Sequence, residues 1–257
     1  MTDTGQPTVA VILAAGKGTR IKSDVPKALL PLCERPLVDH VIGASREAGV
    51  GRVLVVVGHG AEQVRECVGP ACSCVLQEEQ LGSAHALMAC ADALAGYRGT
   101  VLVLYCDVPL LGADLLRDLI ERHRETGAAA TLLTVMLDDP AAYGRVLRGP
   151  EGDVLGIVEA KEASPEQQAI REINVGVYCF EAPLVFEILK EVRPSSVKGE
   201  YYLTDAIGLL AQRGHRVAAL TTTDADAIAG VNTLEELAAV ERTLLRRQAG
   251  GAYPCKR

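Results

Sequence analysis

A chain of 257 residues that is 49% hydrophobic can bury one sizeable core, or a core with a small second lobe. Only 4% of the residues are aromatic and none is Trp, which argues against a stacking platform for single-stranded nucleic acid. A net charge of −7 repels nucleic acid and anionic membrane, so an anionic substrate must be drawn in by a local concentration of cations.

The polar start, Met1 to Thr8, leads into six apolar residues, Val9 to Ala14. That run is too short for a signal-peptide core or a bilayer span, so the expectation is a cytoplasmic protein with no membrane partner. Val9–Ala14, Val53–Val57 and Val101–Tyr105 are β-branched and apolar, as fully buried parallel strands are. Helical spacing over Leu37–Ala48, Ala84–Leu94 and Leu115–Arg124 alternates with them, and Ala129–Met136 reads as a further strand. Such alternation predicts a Rossmann-like α/β fold: a mixed, mostly parallel sheet with helices on both faces.

The pattern changes near residue 140. Arg145–Leu147, Val154–Glu159 and Val175–Phe180 are short alternating runs broken by Gly144, Gly149, Gly152 and Gly156. They predict a small antiparallel insertion laid over the sheet. Pro183–Val192 and Thr204–Gln212 return to helix, Thr233–Arg247 is a charged closing helix, and Ala249–Arg257 reads as a frayed tail. With no long linker, low-complexity tract or internal repeat, the expectation is one domain. Its stretches run over about residues 1–138, about 139–232, and a helix and tail at 233–257. Eight cysteines are present, and their only cluster, Cys67, Cys72 and Cys74, lacks the paired C-x₂-C of a zinc site. Ordinary thiols are expected at these three, and the others, Cys33, Cys90, Cys106, Cys179 and Cys255, form no cluster.

The first strand runs straight into Ala15-Gly16-Lys17-Gly18-Thr19-Arg20, and Lys17, Arg20, Lys22 and Lys27 place four cations within eleven residues. Ligands of open α/β sheets bind at the carboxyl ends of strands, and glycines let backbone N–H groups approach phosphate. A Walker loop is excluded because its G-x-x-x-x-G-K-[ST] is absent. A dinucleotide fingerprint is excluded by Ile21, where a small residue is required, and by the second strand, which leads to Gly58-His59-Gly60 and not to an acid. By itself the loop fits either a polyanion cradle or a tight turn with solvated lysines.

Other residues are equally two-sided. Asp107 closes the strand ending at Tyr105-Cys106, where a carboxylate either holds Mg²⁺ or caps a helix. Gln77 has the donor and acceptor needed to read a base edge, or is a solvated strand end. His59 and His85 invite a general-base role or plain packing. Glu159, Asn174, Tyr202 and Thr204 are polar residues in apolar or turn segments, each ordinary alone.

The ordered set resembles one family. Leu13-Ala-Ala-Gly-Lys-Gly-Thr-Arg20 with Ser23-Asp-Val-Pro-Lys27 is similar to the signature of the sugar nucleotidyltransferases. Gln77-Glu-Glu-Gln-Leu-Gly-Ser-Ala-His85 resembles the uridine-selective segment of its bacterial N-acetylglucosamine-1-phosphate uridylyltransferases. So do Tyr105-Cys-Asp-Val-Pro109, Tyr143-Gly-Arg145, Ile157-Val-Glu-Ala-Lys161, Glu172-Ile-Asn-Val-Gly176, Gly199-Glu-Tyr-Tyr-Leu-Thr-Asp205 and Gly230-Val-Asn232.

The resemblance implies transfer of a uridylyl group from UTP to a sugar-1-phosphate, giving UDP-N-acetylglucosamine and pyrophosphate. It implies Mg²⁺ held by Asp107 and Asn232, with Arg20 and Lys27 neutralising phosphate charge. Nucleotide binding would fall to Leu13, Ala14, Ala15, Gly16, Gly18, Gln77, Gly82 and Ser83. Sugar binding would fall to Tyr105, Gly144, Glu159, Asn174, Tyr202 and Thr204. The attacking phosphate is already ionised, so neither histidine is needed as a base. Cys106 stands where glycine is usual and Ser83 where threonine is usual. Relatives often carry a C-terminal left-handed β-helix that acetylates glucosamine-1-phosphate, and the absence of hexapeptide repeats predicts no acetyl transfer by this chain. Glucose-1-phosphate with UTP or dTTP, and a catalytically silent sugar-nucleotide binder, are the rival readings. The segment from Gln77 to His85 argues against thymidylyl transfer, and intact Arg20, Lys27, Asp107 and Asn232 argue against silence.

Overall fold

A computed structural model of the chain describes residues 7–21, 23, 25–196 and 199–249. Lys22, Cys255 and the tail beyond 249 lie outside the described residues. The element order is β1 (Thr8–Leu13), a hairpin of β2 (Pro31–Leu32) and β3 (Arg35–Pro36), α1 (Leu37–Glu47), β4 (Arg52–Val57), α2 (Ala61–Val68), β5 (Ser73–Leu76), α3 (Ser83–Met88), β6 (Thr100–Tyr105) and α4 (Ala113–Thr126). The second half holds β7 (Ala130–Met136), β8 (Arg145–Arg148), β9 (Val154–Val158), α5 (Pro165–Gln168), β10 (Glu172–Glu181), α6 (Ala182–Leu189), α7 (Leu203–Gln212), β11 (Val217–Thr222) and α8 (Leu234–Ala249).

The sheet runs β11-β7-β10-β6-β1-β4-β5. All neighbours are parallel except β10, which lies antiparallel between β6 and β7. The mostly parallel Rossmann-like sheet is therefore present. The β8–β9 hairpin is antiparallel and attaches through the pairing of Arg145 with Ile173. Val175–Phe180 is a correction to the sequence reading: it is no overlay but part of a central strand. Tyr178, Cys179 and Phe180 are all buried, so this stretch behaves like a doubly covered strand. Ala84–Leu94 is helical only to Met88, after which Cys90 N donates to Leu87 O and Ala91 N to Met88 O, both at 3.0 Å, in tighter three-residue turns. The α2, β5 and β11 elements carry too little apolar periodicity to have been predicted.

Alternating side chains of β1 feed two cores. Ala10 and Ile12 pack under α1, α2 and α4, while Val9, Val11 and Leu13 pack under α3, α6 and α7. A third, smaller core joins Ile21, Leu30, Leu32 and Leu37 to Val231 and to Val240 and Leu244 of α8. That core positions the site, because Ile21, Leu30 and Val231 flank the segments carrying Arg20, Lys27 and Asn232. No helix of the described residues is long and apolar enough to cross a membrane.

Candidate active site

The parallel strands β1, β5 and β6 end on one edge of the sheet, where Leu13, Gln77 and Tyr105 border a cavity of about 610 Å³. Ala15, Gly16, Gly18, Arg20, Lys27, Gly82, Ser83, Asp107 and Asn232 line it as well. The expected nucleotide and phosphate residues thus converge, with one exception. Ala14 is buried and does not line the cavity; its N–H is spent on Val56 O at 2.9 Å. The two loop glycines differ. Gly18 has φ +58° and its Cβ would press on Lys27, so the turn itself needs glycine there. Nothing among the described residues would meet a Cβ at Gly16, which lines the cavity.

Four polar side chains meet at the floor. Lys27 Nζ donates to Asp107 Oδ2 and, at 3.0 Å, to Asn232 Oδ1. Arg20 Nη2 donates to the same Asn232 Oδ1 at 2.8 Å. The backbone sets this meeting: Val231 N donates to Asp107 O at 2.8 Å, which draws the loop before α8 onto the end of β6. Both oxygens expected to hold Mg²⁺ therefore already face one ammonium cation, and a carboxylate with an amide oxygen is a suitable hard donor pair. Cys106, beside Asp107, is buried, and its thiol is pushed up to about 12 by that burial and then by the Asp107 charge. It is a packed thiol, not a thiolate.

Gln77 is only 3% exposed. Its Nε2 donates to Gly82 O at 3.1 Å and lies 3.0 Å from His85 Nδ1. Gly82 has φ +107°, and a Cβ there would sit 2.5 Å from Tyr201 O, so only glycine lets these two segments touch. Tyr201 N donates to Leu81 O at 2.7 Å, and Leu203 N donates to Ser83 Oγ at 3.0 Å. The hydroxyl retained by Ser83 thus ties the Gln77 segment to the start of α7.

The remaining expected residues do not line that cavity, although Glu159 lies near Tyr105. Glu159 Oε1 accepts from Thr204 Oγ1 at 3.1 Å, and Gly144 packs against the Ile157 side chain, where a Cβ would come within 3.0 Å. Asn174 Nδ2 donates to the Tyr178 hydroxyl at 2.7 Å, while its Oδ1 accepts from Gly176 N at 3.2 Å. A bulge in β10 between Asn174 and Tyr178 brings Gly176 against the Tyr105 ring. Burial pushes the Tyr105 phenol up to about 12, with a counteracting hydrogen bond to Ser83 and with Asp107 and Glu159 nearby. Tyr202 is raised by burial and by Glu200, Glu159, Glu162 and Asp205. Thr204 borders a separate cavity of about 470 Å³ beside Ile157 and Asp205.

Gln80 and Glu200 line the main cavity and were not singled out from the sequence. Gln80 lies inside the segment from Gln77 to His85, which was the available signal. Arg145, inside Tyr143-Gly-Arg145, is buried and donates to the carbonyls of Ala141 and Tyr143, so it pins the loop before Gly144.

Comparison with known proteins bears on the family and the fold. The model of the MobA-like NTP transferase domain matches residues 10–160. The protein named Bifunctional protein GlmU of Pelotomaculum thermopropionicum is 49% identical over 238 residues, covering 93% of this chain and 52% of that protein. The protein of the same name from Bacillus cereus (strain G9842) is 45% identical over 238 residues, with the same coverage. The chain thus spans about half the length of the curated relatives it matches. A crystal structure of UDP-glucose pyrophosphorylase complexed with UDP-glucose superposes with a TM-score of 0.74 at 19% identity, covering 94% of this chain and 99% of that one. That likeness shows a shared fold. The family match covers most of the β1–β9 region and contains Arg20, Lys27, Gln77 and Asp107, so the chain belongs to the MobA-like NTP transferase domain family.

Proposed function

We propose that the chain is a uridylyltransferase that makes UDP-N-acetylglucosamine and pyrophosphate from UTP and N-acetylglucosamine-1-phosphate. The observation that carries this reading is the convergence of Arg20, Lys27, Asp107 and Asn232 at the strand ends, on a cavity whose far wall is Gln77. The relatives bearing the GlmU name at 45–49% identity support the same activity.

In this reading residues 1–138 bind the nucleotide and 139–232 the sugar. Gly16 and Gly18 let the loop backbone approach the phosphates, and Gln77, Gly82 and Ser83 line the base. Asp107 and Asn232 would hold Mg²⁺, which would supply charge neutralisation to the reacting phosphates. Lys27 and Arg20 exchange their present oxygen partners for phosphate oxygens and neutralise the triphosphate and the charge that develops on it. A sugar-phosphate oxygen forms a bond to the α-phosphorus of UTP while the bond to the β-phosphate oxygen breaks and pyrophosphate leaves in line. The chain's contribution is positioning and charge, with no proton to remove from the attacker. Glu159, Asn174, Tyr202 and Thr204, with Gly144 packing alongside and Tyr105 between the two halves, hold the amino sugar. A cytoplasmic location follows from the same substrates.

The test is pyrophosphate release across a matrix of N-acetylglucosamine-1-phosphate, glucose-1-phosphate and glucosamine-1-phosphate with UTP, dTTP and CTP. The reading expects the N-acetylglucosamine-1-phosphate and UTP pair to dominate. Turnover with no preference among the sugars would overturn the named product, and no turnover at all would overturn the enzyme.

A further inference from the structure

We infer that His85 is a positioning residue for nucleobase choice: its Nδ1, together with the Gly82 carbonyl, holds the Gln77 amide with its oxygen toward the cavity, and this makes the site select uracil over cytosine. The inference deepens the proposed function and rests on its uridine reading.

The orientation follows from what each atom can do. Gly82 O has no proton to give, so the Gln77 atom 3.1 Å from it must be Nε2. An amide nitrogen carries two protons. The second is directed at His85 Nδ1, 3.0 Å away, which can accept only in the tautomer that keeps its own proton on Nε2. Both donors of the Gln77 amide are then spent inside the chain. Its Oε1 takes no partner among the described residues. Thr100 Oγ1 is the one fully buried side-chain polar atom without a partner among those residues, so Gln77 Oε1 keeps access to the cavity that Gln77 lines. With the residue 97% buried (3% exposed), the amide has little room to turn.

A lone, fixed acceptor discriminates between pyrimidines. Uracil presents N3–H, a donor, to such an oxygen. Cytosine presents the N3 lone pair at the same place, which leaves two acceptors face to face. Removing the histidine acceptor leaves the second amide proton unpaired and weakens the hold on the amide, since an unsatisfied buried donor is costly. Gly82 O still opposes a fully turned amide, so only a minority of the population presents its nitrogen to the base, and that minority suits cytosine.

The experiment is calorimetric titration of UTP and CTP into the wild-type chain, His85→Leu and His85→Asn, without sugar phosphate, each variant's fold being checked by thermal melting. The wild type should prefer UTP. His85→Leu should narrow the UTP-to-CTP ratio about tenfold, the scale for losing one discriminating hydrogen bond. His85→Asn, whose Oδ1 can accept where Nδ1 does, should retain the ratio to within about threefold of wild type. His85→Ala carries the same expectation as leucine if leucine prevents folding. Equal weakening of both nucleotides in His85→Leu, with the ratio unchanged, would show that His85 only packs and would overturn the inference while leaving the uridine reading intact. Loss of the ratio in a folded His85→Asn would also overturn it. A wild type with no preference for UTP would overturn both.

Discussion

The floor of the main cavity and the region around Tyr105 spend their polar groups differently. Beneath the cavity, Arg20 and Lys27 reach Asp107 and Asn232 from loops anchored by the third core and by parallel strand ends, and the space above them is already open. Around Tyr105, the polar groups are bonded to one another: Thr204 to Glu159, and Asn174 to Tyr178 and Gly176. A ligand entering the first region meets preorganised charge. A ligand entering the second exchanges one internal hydrogen bond for another, so each exchange is nearly even, whereas a hydrogen bond newly made contributes about 1 kcal/mol net. The difference teaches where losses should fall under the proposed function: on kcat at the floor, and on KM for the sugar phosphate around Tyr105.

The largest effect is expected at Asp107. Asp107→Asn should lose most of the turnover, at or beyond the upper end of the roughly 10²–10³-fold range for one preorganised contact. Excess chelator should abolish activity and added Mg²⁺ should restore it, as followed by pyrophosphate release. Full activity in chelator would erase the contrast between the two regions. Lys27→Ala comes next, with a loss of roughly 10²–10³-fold in kcat. Lys17→Ala should lose far less, because Lys17 lines the cavity without a bond to Asp107 or Asn232. Equal small losses at Lys17, Arg20 and Lys27 would instead point to diffuse steering.

The same contrast explains what could be read in the sequence. β1 and β6 are buried runs of Val, Leu and Ile, so their strand character, and with it the position of the loop and of Asp107, was legible. The meeting of Asp107 with Asn232 was not, because it depends on Val231 N reaching Asp107 O across 124 positions of chain (231 − 107). Family resemblance alone suggested it. On the other side, Val175–Phe180 reads as part of a surface insertion because Gly144, Gly149, Gly152 and Gly156 break the runs before it, whereas it belongs to the central strand β10, which bulges at Gly176. α2 was missed because only Val64 and Val68 of its eight residues are buried. The bond from Thr204 to Glu159 is a tertiary fact with no local signature.

Under the proposed function, a moderate effect is expected around Tyr105, on the side assigned to the sugar. Asn174→Ala should raise KM for N-acetylglucosamine-1-phosphate by about tenfold or more while KM for UTP changes little. It also removes the partners of Tyr178 and Gly176, so it should lower Tm. Thr204→Val, which keeps the side-chain shape, gives the cleaner kinetic comparison. If either variant raised KM for UTP alone, the division between the two regions would be wrong.

The smallest effect is one of stability, and it probes the charge of the sugar side. Asp205 sits in the first turn of α7, and its carboxyl is held above the ordinary range by burial and then by the Glu162 and Glu159 carboxylates. A group whose folded pKa is raised contributes most to stability below its unfolded value, and that contribution is lost as pH rises through the folded value. At neutral pH the ionised Asp205 is therefore a net cost, partly offset by the favourable place of a negative charge near a helix N-terminus. Asp205→Asn should raise Tm at pH 7.5 by less than the roughly 2–4 °C that 1 kcal/mol moves a chain of this size. The gain should shrink as pH falls through the carboxylate range, where the wild-type side chain becomes neutral as well. Thermal melts of both proteins between pH 7.5 and pH 4 read this directly. A gain that grows on acidification would mean that Asp205 is stabilised as the anion. The sugar side would then lack the crowding of carboxylates that sets it apart from the cationic floor.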